Sequence, residues 1–171
     1  MGTKHQSSTK AKHPARTQAR PRKTKSFKDK LRPELQPECK PDPKHGDRLL
    51  IPTPMLVDAQ VRKVRKGKLI TPTQIRERLA TEHEADRTCP LCTGIFLNIV
   101  AGAAEEDLAA GRKRVTPYWR VIKENGALCH KFPPGLERQT ELLTAEGHEV
   151  VPPPRGKVPR VADFERRLVR K

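Results

Sequence analysis

Two helices are predicted in the first half of the folded region, and each begins with the same signal. Thr53-Pro54 and Thr71-Pro72 each place an N-cap residue before a proline at the first helical position. An apolar stripe with helical spacing follows each signal. The first helix is expected to end at Lys66-Gly67 and the second near Thr81.

Two further helices are predicted in the second half. The third runs from about Leu91 to Leu108 or Gly111 and starts with apolar residues nearly all round. Such a helix is expected to lie in the centre of the core. The fourth runs from Leu136 to Ala145 and is stopped by Gly147.

A small β-hairpin is predicted between the last two helices. Two extended runs, Tyr118–Lys123 and Ala127–Cys129, flank Glu124-Asn125-Gly126, and Asn-Gly between extended runs favours a hairpin turn. The sequence therefore predicts a mainly α fold, a winged-helix-like or helix-turn-helix domain of three to four helices with a hairpin wing.

The chain divides into three regions by composition. Residues 1–48 carry 14 Lys/Arg against 5 Asp/Glu, with frequent proline and few apolar residues, so a disordered basic arm is expected. Residues 49–151 form the predicted domain. Residues 152–171 are expected to be a Pro-rich linker and a short basic segment.

The charge changes the functional expectation. With 36 Lys+Arg and 20 Asp+Glu, the 171-residue chain has a net charge of +16, which favours binding to polyanions, nucleic acid first. No apolar run approaches the roughly 20 residues of a membrane span, and no signal-peptide pattern is present. We expect a monomer without cofactor, cytoplasmic and associated with the nucleoid, and no membrane partner.

The segment Thr116–Ile122 is the most unusual stretch of the chain, because it holds the only Tyr and the only Trp, side by side. Aromatic residues make up only 4% of the chain, so two adjacent rings beside Arg120 need a reason. Trp119 could be a core anchor. Alternatively, one ring packs inward while Tyr118 faces a ligand.

Five motifs in order make residues 52–147 resemble the DNA-binding domain of the 6-O-alkylguanine-DNA alkyltransferase family. The matching segments are Lys66–Thr71 with Gln74-Ile75 ("GKVTTYGEIA"), Pro90 with Gly94 ("PRAVG"), Pro117–Ile122 ("PCHRVI"), the wing residues Gly126, Leu128, Phe132 and Gly135, and Leu142–Gly147 ("LLxxEG"). The resemblance implies a DNA-binding surface and a pocket for an extruded base.

The departures from the family pattern bear on activity. The family transfers the alkyl group to a cysteine thiolate next to a histidine, but Tyr118 and Trp119 occupy those two positions. Glu146 is retained, and the base-replacing arginine corresponds to Leu91. A phenol with a pKa near 10 is a poor alkyl acceptor, so no catalytic residue is assigned.

The chain thus resembles the alkyltransferase-like proteins, which carry an aromatic residue at the cysteine position and bind alkylated guanine without repairing it. This implies a base pocket of Tyr118, Trp119, Leu91 and Glu146. It also implies double-stranded DNA, possibly alkylated, and a repair-machinery protein as partners. Residues expected at the DNA by their chemistry are Thr71, Gln74, Thr93, Gly94, Arg112, Lys113, Arg114 and Arg120.

The cysteines leave two alternatives open. Cys89-x-x-Cys92 with Cys129-His130 offers potential zinc ligands, although adjacent strand residues face opposite sides, so no metal site is assigned. Alternatively, Cys92 or Cys129 could serve as a relocated thiol for alkyl transfer. An RNA- or protein-interaction module on the same fold is the remaining hypothesis.

Overall fold

The computed structural model describes residues 25–153 and 158–170. Its elements in chain order are α1 (Phe27–Leu31), β1 (Glu38–Asp42), β2 (Asp47–Ile51), α2 (Pro54–Arg62), α3 (Pro72–Glu82), β3 (Arg87–Thr88), α4 (Pro90–Ala109), a 3-10 helix (Tyr118–Arg120), α5 (Gly135–Ala145), β4 (Val150–Val151), β5 (Arg160–Val161) and α6 (Phe164–Arg167). The prediction of a mainly helical fold with little β structure is confirmed.

Both predicted N-caps are present. The Thr53 hydroxyl accepts a hydrogen bond from the Leu56 amide, and the Thr71 hydroxyl accepts one from the Gln74 amide. Gln74 completes a capping box by accepting from the Thr71 amide at 3.1 Å. These bonds fix where α2 and α3 begin.

Helix α4 lies at the centre of the core, as its all-round apolar start predicts. Leu97, Val100 and Ala101 are fully or almost fully buried, and α1, α2 and α3 all contact this helix. Despite its apolar character, α4 is no candidate bilayer span, nor is any other helix in the described ranges.

The second half of the predicted arm is ordered, which corrects the expectation of disorder through residue 48. Phe27 packs against Gly102 of α4, and the amides of Phe27 and Lys28 donate to the Glu106 carboxylate. Strand β1 pairs antiparallel with β2, which pairs parallel with β3. Residues 1–24 of the predicted arm lie outside the described residues.

The predicted hairpin wing forms only in part. Tyr118–Arg120 is a 3-10 turn and not a strand, although the Lys123 amide still donates to the Ala127 carbonyl at 2.8 Å across the predicted turn. The partner of the second run comes from the C-terminus, because the Leu128 amide donates to the Pro159 carbonyl.

The C-terminal segment belongs to the domain, which corrects its assignment to a linker. Strands β4 and β5 pair antiparallel, and Phe164 of α6 is buried. The Val169 amide donates to the Leu69 carbonyl at 2.8 Å, and Gln74 Nε2 donates to the Val169 carbonyl at 2.9 Å. The end of the chain therefore lies across the start of α3.

Gly126 is the position where this arrangement depends on glycine. Its φ is +79°, and a Cβ there would lie 2.5 Å from Cδ1 of Phe164.

We expect Gly126→Ala to lower the free energy of unfolding by roughly 2 kcal/mol, because it adds left-handed strain and overpacking. Urea denaturation measures this. Gly94→Ala, in an open helical position, is the control and should raise stability by up to about 1 kcal/mol; equal effects would contradict the packing argument.

Candidate functional site

An open cavity of about 470 Å³ lies where the first turn of α4 meets the start of α3 and the segment 129–132. Its walls are mainly apolar, with a few polar and basic side chains. The lining residues are Pro72, Pro90, Leu91, Gly94, Ile95, Leu97, Asn98, Lys123, Cys129, His130, Lys131 and Phe132. The volume falls in the range typical of ligand sites.

One edge of the cavity is an exposed apolar ridge on α4. Leu91 is 72% exposed and Ile95, one turn later, is 49% exposed. Residues four apart lie on the same helix face, so the two side chains form one continuous apolar surface. A ridge of this kind is suited to insertion into a partner.

A second segment of the lining is basic. Lys123, His130 and Lys131 all line the cavity, and His130 and Lys131 are exposed. Lys123 Nζ lies 3.1 Å from His130 Nδ1, so these two side chains are in hydrogen-bonding contact. The cavity thus combines an apolar ridge on α4 with a basic rim formed by these three residues.

Tyr118 does not face this cavity, which corrects its assignment as a base-contacting residue. Its side chain is fully buried, and its hydroxyl donates to Glu105 Oε1 at 2.9 Å. The ring packs edge-on against Phe132, whose centroid is 5.6 Å away. Because Phe132 lines the cavity, Tyr118 lies behind the cavity wall and packs against it. Burial and the Glu105 carboxylate raise the pKa of the phenol.

Trp119, Arg120 and Glu146 form a largely buried cluster away from the cavity, which corrects the assignment of Trp119 and Glu146 to the base pocket. Arg120 also borders a separate cleft with Lys113 and Arg114, so its assignment to the DNA surface stays a prediction. Trp119 Nε1 donates to Glu146 Oε1 at 2.9 Å, and Arg120 donates from Nη2 to Oε1 at 2.6 Å and from Nε to Oε2 at 2.9 Å. Burial by itself would raise the pKa of Glu146, but the hydrogen bonds from Arg120 and Trp119 outweigh it and hold the pKa below its usual value.

The hydroxyl and amide residues expected at DNA are already engaged within the protein. Thr71 and Gln74 cap α3, and the buried Thr93 hydroxyl donates to the Cys89 carbonyl at 2.8 Å. The start of α3 is occupied as well, because the Thr73 amide and hydroxyl both donate to Glu124 Oε1. Short polar residues at helix starts serve as caps here, which corrects the DNA assignment of these three side chains.

The remaining predicted residues separate into two places. Leu91 and Gly94 both line the cavity. Arg112, Lys113 and Arg114 are exposed but follow the far end of the 20-residue α4, about 30 Å from Leu91 by helix geometry. Lys113 and Arg114 border a different cleft, together with Arg62 and Trp119.

Sequence reasoning missed the basic rim. Lys123, His130 and Lys131 flank the predicted hairpin turn, and the alternation of residues along its second run would have placed some of them outward. Of these three residues, only His130 is considered from the sequence, as a potential zinc ligand. Within the described residues, no group of three or more His, Cys, Asp or Glu side chains could hold a metal ion.

Cys129 lines the cavity with a buried, hydrogen-bonded thiol. It is buried and donates from Sγ to the Val121 carbonyl at 3.5 Å. Burial raises the pKa of Cys129 to about 12, so the thiol is protonated at neutral pH.

Comparisons with known proteins give similarity in structure but not in sequence. No family model matches the chain, and no curated protein matches it in sequence. Among solved structures, it is similar to S. pombe Atl1 in complex with damaged DNA containing O6-carboxymethylguanine. The identity is 17% and the TM-score 0.49, over 69% of this chain and 94% of that chain.

The Glu146 cluster makes a testable contribution to stability. Glu146→Gln should lower the free energy of unfolding by about 3 kcal/mol, because it leaves the Arg120 charge buried without its partner. Glu141→Gln on the same helix is the control, and its exposed carboxylate should matter by less than about 0.5 kcal/mol.

The pH dependence follows from the lowered pKa of Glu146. The carboxylate stabilises the fold fully above its unfolded pKa of about 4.5, and this contribution is lost as pH falls through the lower folded value. Glu146→Gln should therefore lose less stability than the parent chain between about pH 5 and pH 3. Denaturant titrations at each pH measure this, and parallel pH profiles would refute the assignment.

Proposed function

We propose that this chain binds duplex DNA through the cavity at the start of α4, and that it holds an alkylated guanine there without removing the alkyl group. The observation that carries the proposal is an open cavity lined both by an exposed apolar ridge, Leu91 and Ile95, and by the basic rim.

The basic rim supplies the contact to the phosphate backbone. Lys123, His130 and Lys131 lie together on one side of the cavity, and the whole chain carries a net charge of +16. Lysine ammonium groups placed this way neutralise phosphates and orient the duplex without reading its sequence, and the His130 ring adds a hydrogen-bonding group. Since Glu124 occupies the amide at the start of α3, the rim side chains and not that helix terminus make the phosphate contacts.

The apolar ridge supplies the wedge. An apolar side chain inserted between base steps unstacks them and allows a base to leave the helix. Leu91 projects next to the cavity, so it can fill the space of an extruded base while that base enters. Unstacking costs a few kcal/mol, and a damaged base that pairs poorly costs less.

The cavity lining suits a flat, partly polar base. Phe132 and Ile95 offer apolar surface for stacking, and the amide of Asn98 can both donate and accept hydrogen bonds at a base edge. The motif residues that resemble the alkyltransferase family, including Gly94 and Phe132, border this same cavity.

The chemistry of the lining supports binding without transfer. Alkyl transfer requires a thiolate, but the Cys129 thiol has a pKa of about 12 and no imidazole that could take its proton is bonded to it. The phenol of Tyr118 is buried behind Phe132 and bonded to Glu105, so it does not reach a base in the cavity.

Leu91 provides the test of the binding site. Leu91→Ala should weaken binding to a duplex with one O6-methylguanine by about 10-fold, because it loses the wedge. Fluorescence anisotropy with unlabelled methylated or plain duplex as competitor measures this. Met55→Ala, an exposed apolar residue on α2, and Tyr118→Phe are the controls and should leave the affinity unchanged. An unchanged affinity for Leu91→Ala would refute the site, and equal competition by plain duplex would refute lesion sensing.

Transfer is tested with a duplex that carries isotope-labelled O6-methylguanine. We expect no label on Cys129 or Cys92 after prolonged incubation at neutral pH, because raised pKa values of about 12 and about 11 keep both thiols protonated. Mass spectrometry of the intact chain reads the result. Methyl label that disappears in Cys129→Ser would establish a thiol alkyltransferase and overturn the non-catalytic assignment.

A further inference from the structure

We infer that Cys89 and Cys92 form a redox-active dithiol that low-molecular-weight disulfides oxidise to an intramolecular disulfide. Cys89 is the N-cap of α4 and Cys92 lies in its first turn. Both side chains are partly exposed, so a small reagent can reach them.

The two residues already face each other. The Cys92 amide donates to the Cys89 sulfur at 3.4 Å, so Cys89 Sγ points toward residue 92. A disulfide needs Cβ atoms about 3.5–4.5 Å apart, which is closer than the roughly 5–6 Å of helical residues three apart. Closing the pair therefore requires a small shift of Cys89, which as the N-cap lies outside the regular helix.

The backbone around the pair is fixed independently of the sulfurs. The Cys89 amide donates to the Leu50 carbonyl at 2.8 Å, and the Cys89 carbonyl accepts from the Thr93 hydroxyl at 2.8 Å. These bonds keep the turn formed while Cys89 shifts, and the entropy cost of closing so short a ring is small.

The reaction is an ordinary thiol–disulfide exchange in two steps. Burial and the neighbouring Cys89 thiol raise the pKa of Cys92 to about 11, so Cys89 is the thiol that attacks first. Its thiolate displaces one thiol from oxidised glutathione and forms a mixed disulfide. The Cys92 thiolate then attacks Cys89 Sγ and displaces the second glutathione. The protein loses two electrons and two protons, and one oxidised glutathione becomes two reduced molecules.

The other thiols in the chain give different products. Cys129 is buried, with its thiol bonded to the Val121 carbonyl. Cys39 is exposed on β1 opposite Leu50, so it can accept glutathione but has no second thiol to release it. A disulfide formed within one molecule therefore identifies the Cys89–Cys92 pair.

The experiment uses the full chain with Cys39→Ser, treated with oxidised glutathione at neutral pH and analysed by intact mass and peptide mapping. The expected product is lighter by two hydrogen atoms, with the cross-link inside the peptide that contains residues 89–92. Cys92→Ser should instead retain one glutathione on Cys89. Cys89→Ser keeps a helix cap, because serine is a preferred N-cap residue, and should react at least about 10-fold more slowly.

Two results would overturn the inference. One is a glutathione adduct on Cys89 that persists although Cys92 is present. The other is oxidation that occurs only in urea, since a native dithiol must react in the folded chain. Circular dichroism of each cysteine variant is the control that the variants being compared are folded.

The position of the dithiol beside Leu91 adds a second readout, which rests on the proposed function. A duplex bound at the start of α4 covers the pair, so saturating DNA should slow the exchange by at least about 5-fold. Disulfide formation that is unaffected by DNA would retain the dithiol but count against this DNA-binding face. Failure of the exchange itself would leave the proposed function standing.

Discussion

The structure depends on the buried carboxylate of Glu146, which accepts hydrogen bonds from both Trp119 and Arg120. This one group joins the end of α5 to the 3-10 turn, and Arg120 extends the connection to the Val64 carbonyl beyond α2. Gln139 continues it, because its fully buried amide donates to the Trp119 and Val121 carbonyls and accepts from the Cys129 amide. The cavity wall is therefore held through α5, although α5 itself does not line the cavity.

Several polar groups are bonded within the protein: Glu146 to Arg120, Tyr118 to Glu105, and Glu124 to Thr73. The cavity itself is lined by apolar surface, the Asn98 amide, the Cys129 thiol and the basic rim. Such a lining favours recognition by shape, stacking and charge.

Local signals in the sequence predict where the helices begin, but not which distant segments pack against them. The caps at Thr53 and Thr71 and the apolar start of α4 predict three helices because each signal lies within one turn. The ordered residues 25–48 and the C-terminal segment escaped prediction, because Phe27 packs on Gly102 and Leu128 pairs with Pro159, contacts between distant parts of the chain. The site residues were also predicted only in part. Leu91 and Gly94 follow from a motif and do line the cavity. Thr71 and Arg120 have side chains that can form a helix cap or an ion pair as readily as they can bind a ligand.

The attachment of the chain's end to α3 has a consequence for how the cavity can be influenced. Gln74 bonds the Thr71 amide with one end of its side-chain amide and the Val169 carbonyl with the other, and Pro72 of the cavity lies between the two halves of that cap. The segment around Val169 thus braces the start of α3, which forms one edge of the cavity. A change at Val169 would reach the cavity through Gln74 and Pro72, without a contact to anything bound inside it.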